Sequence, residues 1–289
     1  MKIRLLAPIA SLFCVATITF FLMHAIPGDP FIGERALPEE VLAALRSHYG
    51  LDRPLLFQYL QFLKSLLTLD LGASITYPNR SVITFILEGL PISAFLGLQA
   101  LLVALPLGIL LGSLNRGCTL FISLPNFVVA SLIQYFFAIK FHLLPIARWG
   151  SWEHTILPSL ALAVFPTAMI ARLTRANLAE VMKQDYIRTA FAKGLTQTQV
   201  LFRHALPNSL FPVITYLGPL LSSILTGSFV VEKIYAIPGL GGWMIHSIQG
   251  RDYPMIVGLT LFFSSVLILS VVFSDFLHRW IDPRLKRRG

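Results

Sequence analysis

Eight charged side chains, Arg172, Arg175, Glu180, Lys183, Asp185, Arg188, Lys193 and Arg203, fall in one stretch of a chain that is apolar for long distances on either side. Their types suit ion pairing and hydrogen bonding to another macromolecule. Covalent chemistry finds less support. An intramembrane enzyme needs a nucleophile with its base, or metal ligands, inside the apolar runs. His24 stands alone near the end of one run, and no His-Glu-x-x-His pattern occurs. Cys14 and Cys118 lie in apolar runs without metal spacing or a disulfide framework, and read as small packing residues in spans. No phosphate-binding G-x-x-x-x-G-K-[ST] loop is present, so the chain does not itself carry an ATPase site. Gly239-Leu240-Gly241-Gly242 is glycine-rich, but Met244 takes the place of the last glycine of G-x-G-x-x-G and no strand precedes it. It reads as an outward-facing turn.

A charge at the centre of a bilayer costs about 2.5–3.5 kcal/mol, and eight together would cost roughly 20 kcal/mol or more, so the 172–208 segment lies outside lipid. The rest of the chain belongs in it. Residues are 55% hydrophobic and 13% charged, where a soluble domain averages about 25% charged. Six apolar runs reach or approach spanning length, at about 5–26, 90–112, 118–140, 156–171, 209–231 and 255–275. Their interiors hold no Asp, Glu, Lys or Arg. His24, Glu88, Lys140, Glu232 and Asp275 lie at ends, from which side chains reach the headgroups. A secondary transporter would need ionisable groups at membrane depth, and the pattern offers none. The first run is too long for a signal-peptide core and no Ala-x-Ala site follows it, so it reads as a retained first span.

The net charge of +9 does not point to nucleic acid, because Lys and Arg gather at the ends of apolar runs, where they orient a membrane protein. Placing the amino terminus in the cytoplasm puts most of them inside, in 172–208 and in the 277–289 tail. The exceptions sit chiefly in the long 27–89 segment, which counts little under the positive-inside rule. Both termini and the 172–208 loop are therefore expected in the cytoplasm, in an inner membrane. The fold class is all-α integral membrane: six transmembrane helices in one domain, 1–289. A long extracytoplasmic helical insertion, 27–89, follows helix 1, and a cytoplasmic loop, 172–208, joins helices 4 and 5.

In the insertion, Pro38-Glu39-Glu40 opens a helix that Gly50 stops, with Val41, Leu42, Leu45 and Tyr49 on one face. A second opens at Asp52-Arg53-Pro54 and carries Leu55, Leu56, Tyr59, Leu63 and Leu66. Two compatible readings follow: amphipathic helices on the membrane surface or the bundle, and a platform for an extracytoplasmic partner. In the polar loop, one helix is expected over about 177–193 and another over about 196–206. Gly194 ends the first in a left-handed conformation, Thr196 caps the second, and Pro207 turns the chain back to the membrane. The fifth run bears Gly218, Pro219, Ser222, Ser223, Thr226, Gly227 and Ser228. These are small residues that suit helix packing, with a polar lining of a solute path as the alternative for Ser222, Ser223 and Thr226.

The spacing from Gly194 to Leu206-Pro207 resembles the EAA loop of ABC-transporter permease subunits. Asp185-Tyr186-Ile187-Arg188-Thr189-Ala190, Ala192-Lys193-Gly194-Leu195 and Phe202-Arg203-His204-Ala205-Leu206 are similar to its peptide-importer version. Ala25 to Phe31 with Gly33-Glu34-Arg35, and Ile281-Asp282-Pro283-Arg284, resemble the same family's first-span end and carboxyl signature. The oligopeptide permease B type is the nearest. Arg188-Thr189 stands for the general Glu-Ala, His204 for Ile, and the 113–117 connection is short. The resemblance implies coupling to an ATPase through Asp185, Tyr186, Arg188, Thr189, Ala190, Lys193, Gly194, Leu206 and Pro207. It further implies two cytoplasmic ATPase subunits that use ATP and Mg, a second homologous permease, and an extracytoplasmic peptide-binding protein. Oligopeptides are the implied cargo; dipeptides, nickel chelates and other small solutes remain alternatives. No cofactor is implied on this chain.

Overall fold

A computed structural model describes residues 2–25, 31, 38–114 and 124–281, without the side chains of 2–6, 225 and 275–281. The described chain is helical throughout, apart from an isolated β-bridge between Ala73 and Ser81. The helices are α1 (Lys2–Ala25), α2 (Glu39–His48), α3 (Leu55–Leu67), α4 (Val82–Ser113), α5 (Asn126–Ile133, continued by a wide π turn, Gln134–Lys140), α6 (Glu153–Val181) and α7 (Asp185–Ala192). After them come α8 (Gln197–Val200, followed by a second π turn, Leu201–Ala205), α9 (Leu206–Ser209), α10 (Phe211–Leu225), α11 (Phe229–Ile234), α12 (Leu240–Gln249) and α13 (Tyr253–Ile281).

Among the described residues five helical segments are long and apolar enough to cross a membrane: Ala7–Ala25, Val82–Ser113, Glu153–Val181, Phe211–Ile234 and Tyr253–Ser274. The third apolar run is represented by a shorter helix, Asn126–Lys140. The blocks 26–30, 33–35 and 282–284 quoted above lie outside the described residues, as do Cys118 and most of the 113–117 connection. Cys14 is exposed on α1 and is not the packing residue expected, because that face of α1 meets no other helix.

Helix boundaries follow local chemistry. The second span starts at Val82, eight residues before the apolar run, because Ser81 caps it: its Oγ accepts from the Thr84 amide at 3.3 Å. The fourth helix runs on to Val181, well past the apolar run that ends at 171. The fifth run is broken. Thr226-Gly227-Ser228 separates α10 from α11, with Gly227 at φ +76°. Gly239-Leu240-Gly241-Gly242 is not an outward turn but the buried start of α12, with Leu240 in a core cluster beside Val82, Phe85 and Leu259.

The bundle centres on α4 and α6, which lie together along most of their length because small residues let their backbones approach. A Cβ on Gly112 would stand 2.6 Å from the carbonyl oxygen of Ala171, and one on Gly108 2.7 Å from the side chain of Ile170. The opposing atom at Gly112 is backbone and cannot rotate away. Gly112→Ile should therefore destabilise the chain by about 1–3 kcal/mol, the usual cost of overpacking. This is read as a lower thermal midpoint in detergent, with Gly150→Ile, which points into open space, as the unaffected control. Equal midpoints for the two variants would count against this contact.

Candidate functional site

The polar loop folds as an elbow with a core of its own. Helix α6 ends at Val181 and the chain turns at Lys183-Gln184. The single helix expected over 177–193 is thus two elements, because α6 stops and Asp185 opens a new first turn near the positive end of α7. At the far end the Gly194 amide bonds to the Phe191 carbonyl at 2.9 Å and the Leu195 amide to that of Ala190 at 3.4 Å. Gly194 sits at φ +84°. This is a Schellman stop, and it needs the left-handed residue.

Thr196 then caps α8 in a capping box. The Gln199 amide donates to Thr196 Oγ1 at 3.4 Å, and the Thr196 amide donates to Gln199 Oε1 at 3.0 Å. Pro207 does not turn the chain. It sits in the first turn of α9, with helical backbone on both sides. Proline has no amide hydrogen and crowds the carbonyl four residues back; the π turn over Leu201–Ala205, closed by the Leu206 amide on the Leu201 carbonyl, precedes it.

Leu178, Ile187, Ala190, Val200 and Ala205 form the buried interior. Asn208 Nδ2 donates to the Tyr186 hydroxyl at 3.0 Å and to the His204 carbonyl at 2.9 Å, tying the two arms together. The residues proposed from sequence divide accordingly. Asp185, Tyr186, Arg188, Thr189, Lys193, Gly194 and Pro207 are exposed and Leu206 is half-buried. Ala190 is buried; its place is in the seam between the arms, not on the outer face. Arg188 Nη1 and Asp185 Oδ1 approach to 3.6 Å with both side chains mostly in solvent, so the pair adds at most about 1 kcal/mol. Phe191 and Phe202, not singled out in the sequence, are large exposed aromatics on this elbow.

A second constellation was invisible in the sequence. Glu232 was expected to reach the headgroups. Instead it is 1% exposed, because the break at Gly227 redirects α11 and turns the carboxylate inward. Its Oε1 accepts from Ser93 Oγ at 2.8 Å and its Oε2 from the Gly242 amide at 3.0 Å. Ser93 Oγ in turn accepts from the Leu240 amide at 2.9 Å. One acid thereby joins α4, α11 and the start of α12, and no salt bridge reaches it among the described residues. Only the small residues of Gly227-Ser228 and Gly239 hinted at it in the sequence.

Glu232 also lines two cavities. One, of about 340 Å³, is bordered by Tyr216, Pro219, Ser223, Ser228 and Phe165. The other, of about 430 Å³, is bordered by Tyr77, Lys233, Trp243 and His246. Of the three residues considered for a solute path, Ser223 lines the first cavity and Ser222 is buried against neighbouring helices. The Thr226 hydroxyl bonds to its own helix, at the Ser222 carbonyl. Among the described residues no three His, Cys, Asp or Glu side chains converge as metal ligands.

The sequence is similar to known proteins along nearly its whole length. Residues 89–287 match the family of binding-protein-dependent transport system inner membrane components, and residues 1–92 match the corresponding N-terminal family. The chain is 47% identical to the dipeptide transport system permease protein of Bacillus subtilis, over 98% of this chain and 96% of that protein. It is 39% identical to the oligopeptide transport system permease protein of Salmonella typhimurium, over 98% and 97%. It is 37% identical to the dipeptide transport system permease protein of Lactococcus lactis, over 96% and 95%.

Two outcomes are expected from this geometry. Ser93→Ala and Glu232→Ala strand buried partners at a cost of about 1.5–3 kcal/mol each, whereas Glu232→Gln keeps an acceptor and should cost clearly less; thermal midpoints in detergent give the ranking. A cysteine placed by Ser223→Cys in a Cys14→Ser, Cys118→Ser background should react with a water-soluble thiol reagent faster than one placed by Ser222→Cys. Equal rates would remove Ser223 from any solute path.

Proposed function

We propose, from the premise that the chain belongs to the family of binding-protein-dependent transport system inner membrane components, that it is the permease subunit through which an ATP-driven importer passes peptides. Peptide is the cargo class in the names of relatives similar along nearly the whole chain. Dipeptides and oligopeptides both occur among them, so the length range is assigned to the extracytoplasmic binding protein that delivers the cargo. The chain crosses the membrane six times in this reading, with Asn126–Lys140 as the third crossing beside the five longer ones. Both termini and the elbow face the cytoplasm, where Lys and Arg are concentrated.

The single observation that carries the mechanism is the outer face of the elbow. Asp185, Tyr186, Arg188, Thr189 and Lys193 stand exposed beside Phe191 and Phe202, on a core that needs no other element of the bundle beyond the end of α6. A compact body with a mixed aromatic and ionic surface suits a groove on a cytoplasmic ATPase. Two ATPase subunits bind and hydrolyse ATP with Mg. Their closure moves this elbow and that of a second, homologous permease, and the path between the permeases changes the side to which it opens. This chain contributes position and shape, and holds no nucleotide of its own.

Gly194 provides the test. A Cβ there would meet no neighbouring atom within 4 Å, so the damage falls chiefly on a strained left-handed backbone, about 1–2 kcal/mol. In Gly194→Val the amount of assembled importer in the membrane should stay near wild type. Uptake of a radiolabelled peptide should fall at least tenfold, and ATPase activity should lose its response to loaded binding protein. Gly194→Asn, which tolerates this conformation, should retain most uptake. Wild-type uptake by Gly194→Val would end the proposal that the elbow couples ATP to transport.

A further inference from the structure

Helix α3 sits apart from every role described above. None of its residues is buried, yet nine of its thirteen residues in LLFQYLQFLKSLL are apolar or aromatic. Its apolar arc is about twice as wide as its contact with the rest of the chain. One edge packs inward: Phe62 stacks on Phe20 of α1 with ring centroids 5.2 Å apart, and Phe62 and Leu66 join a cluster with Ala16 of α1 and Val257 and Leu261 of α13. The adjoining edge stays largely uncovered among the described residues. Leu56, Leu60 and Leu67 lie within about 40° of one another at 100° per residue, and are 68%, 57% and 87% exposed. Gln61 and Lys64, two of the four polar positions, fall on the remaining sector and are also exposed.

The depth of the inward contacts decides what the bare edge faces. Tyr59 meets the Thr17 hydroxyl at 2.8 Å, eight residues before the end of α1, which is about 12 Å along the helix at 1.5 Å per residue. Leu261 lies the same number of residues inside α13, counted from Tyr253. Both helices are candidate spans over these residues. Helix α3 therefore lies against two adjoining spans at a level where the hydrocarbon begins, not above the headgroups. Its bare leucines continue the exposed surface of α1 formed by Ile18, Phe21 and Leu22, a surface that any membrane-spanning α1 gives to lipid. Lys64, next around the helix beyond Leu60, is long enough to extend to the headgroups, as long basic side chains do at interfaces.

We infer that α3 is an interfacial helix whose Leu56, Leu60 and Leu67 edge is seated in the acyl chains of the leaflet reached by the carboxyl end of α1. That leaflet is the outer one in the orientation proposed above; the inference itself rests on the spans and not on that orientation. It takes α3 out of the platform available to a soluble extracytoplasmic partner. Lipid is favoured over protein because the bare edge is uniformly leucine, bears no charge or hydrogen-bonding group, and runs without a step into a lipid-facing helix.

The assembled importer, reconstituted in nanodiscs, allows a direct reading. Single cysteines are introduced by Leu56→Cys, Leu60→Cys, Leu67→Cys, Gln61→Cys and Lys64→Cys in a Cys14→Ser, Cys118→Ser background, and each is spin-labelled. Power-saturation electron paramagnetic resonance then compares collisions with oxygen, which partitions into acyl chains, and with a neutral water-soluble nickel chelate. At positions 56, 60 and 67 oxygen collisions should exceed those with the chelate several-fold, and at 61 and 64 the order should reverse. Dominance of the nickel chelate at 56, 60 and 67 would overturn the inference in favour of an aqueous surface. Exclusion of both agents there would overturn it in favour of a protein partner. Peptide uptake by each variant confirms that the labelled importer is assembled, and five separate positions guard against the loss of any one.

Discussion

A backbone group that leaves its helix inside a bilayer has no water to bond with, and an unsatisfied polar group there costs several kcal/mol. This constraint explains where the structure puts its acids. The fifth apolar run breaks at Gly227, and α12 begins nearby at Gly239. Amides of Leu240 and Gly242 would be orphans at that helix start. Ser93 and Glu232 collect them, and Ser93 holds the carboxylate in place. A buried carboxylate with hydroxyl and amide donors is acceptable where a bare one is not. Asp252 does the same at the head of α13. It accepts from the amides of Ile75, Thr76 and Met255 and from the Ser74 hydroxyl, so that a loop of the 68–81 segment is fastened to a helix start.

Around those two nodes the bundle is held by close helix approach. The elbow follows a different logic. It has a core, two capped helix ends and a cross-tie, Asn208 to Tyr186, none of which involves the apolar surroundings. Its attachment is α6, which runs unbroken from Glu153 to Val181 and lies against α4 for most of that length. In the coupling proposed above, a displacement of the elbow enters the bundle along α6. The break between α10 and α11, with cavities on both sides of Glu232, is where the bundle has room to respond. Packed interiors move between discrete arrangements more readily than they deform.

Much of the elbow was legible beforehand because its signals are local. A left-handed Gly194 and a Thr196 cap each act within one turn of the chain, and both stand where the sequence implied; the helix start at Asp185 was not foreseen. Pro207 was misjudged because a proline signals a turn only when the preceding helix is regular. Here a π turn precedes it and helix continues. Ala190 entered the coupling set with the Arg188-Thr189-Ala190 block of the family resemblance; one hundred degrees of helix rotation per residue carries it into the seam beside Val200 and Ala205.

Charge placement and run length by themselves determined that this is a helical membrane protein with a polar elbow outside lipid. Both rest on transfer free energies that need no knowledge of neighbours. Family membership was equally written in spaced blocks of residues. Tertiary structure alone decided which acid is buried, which face of α3 is bare, and that the fifth run is two helices. Ser93 and Glu232 are separated by 139 positions, and no local rule brings a serine to a carboxylate across that distance. The eight charges of the opening stretch marked where the chain leaves lipid; the one carboxylate folded inward shows how it stays intact within.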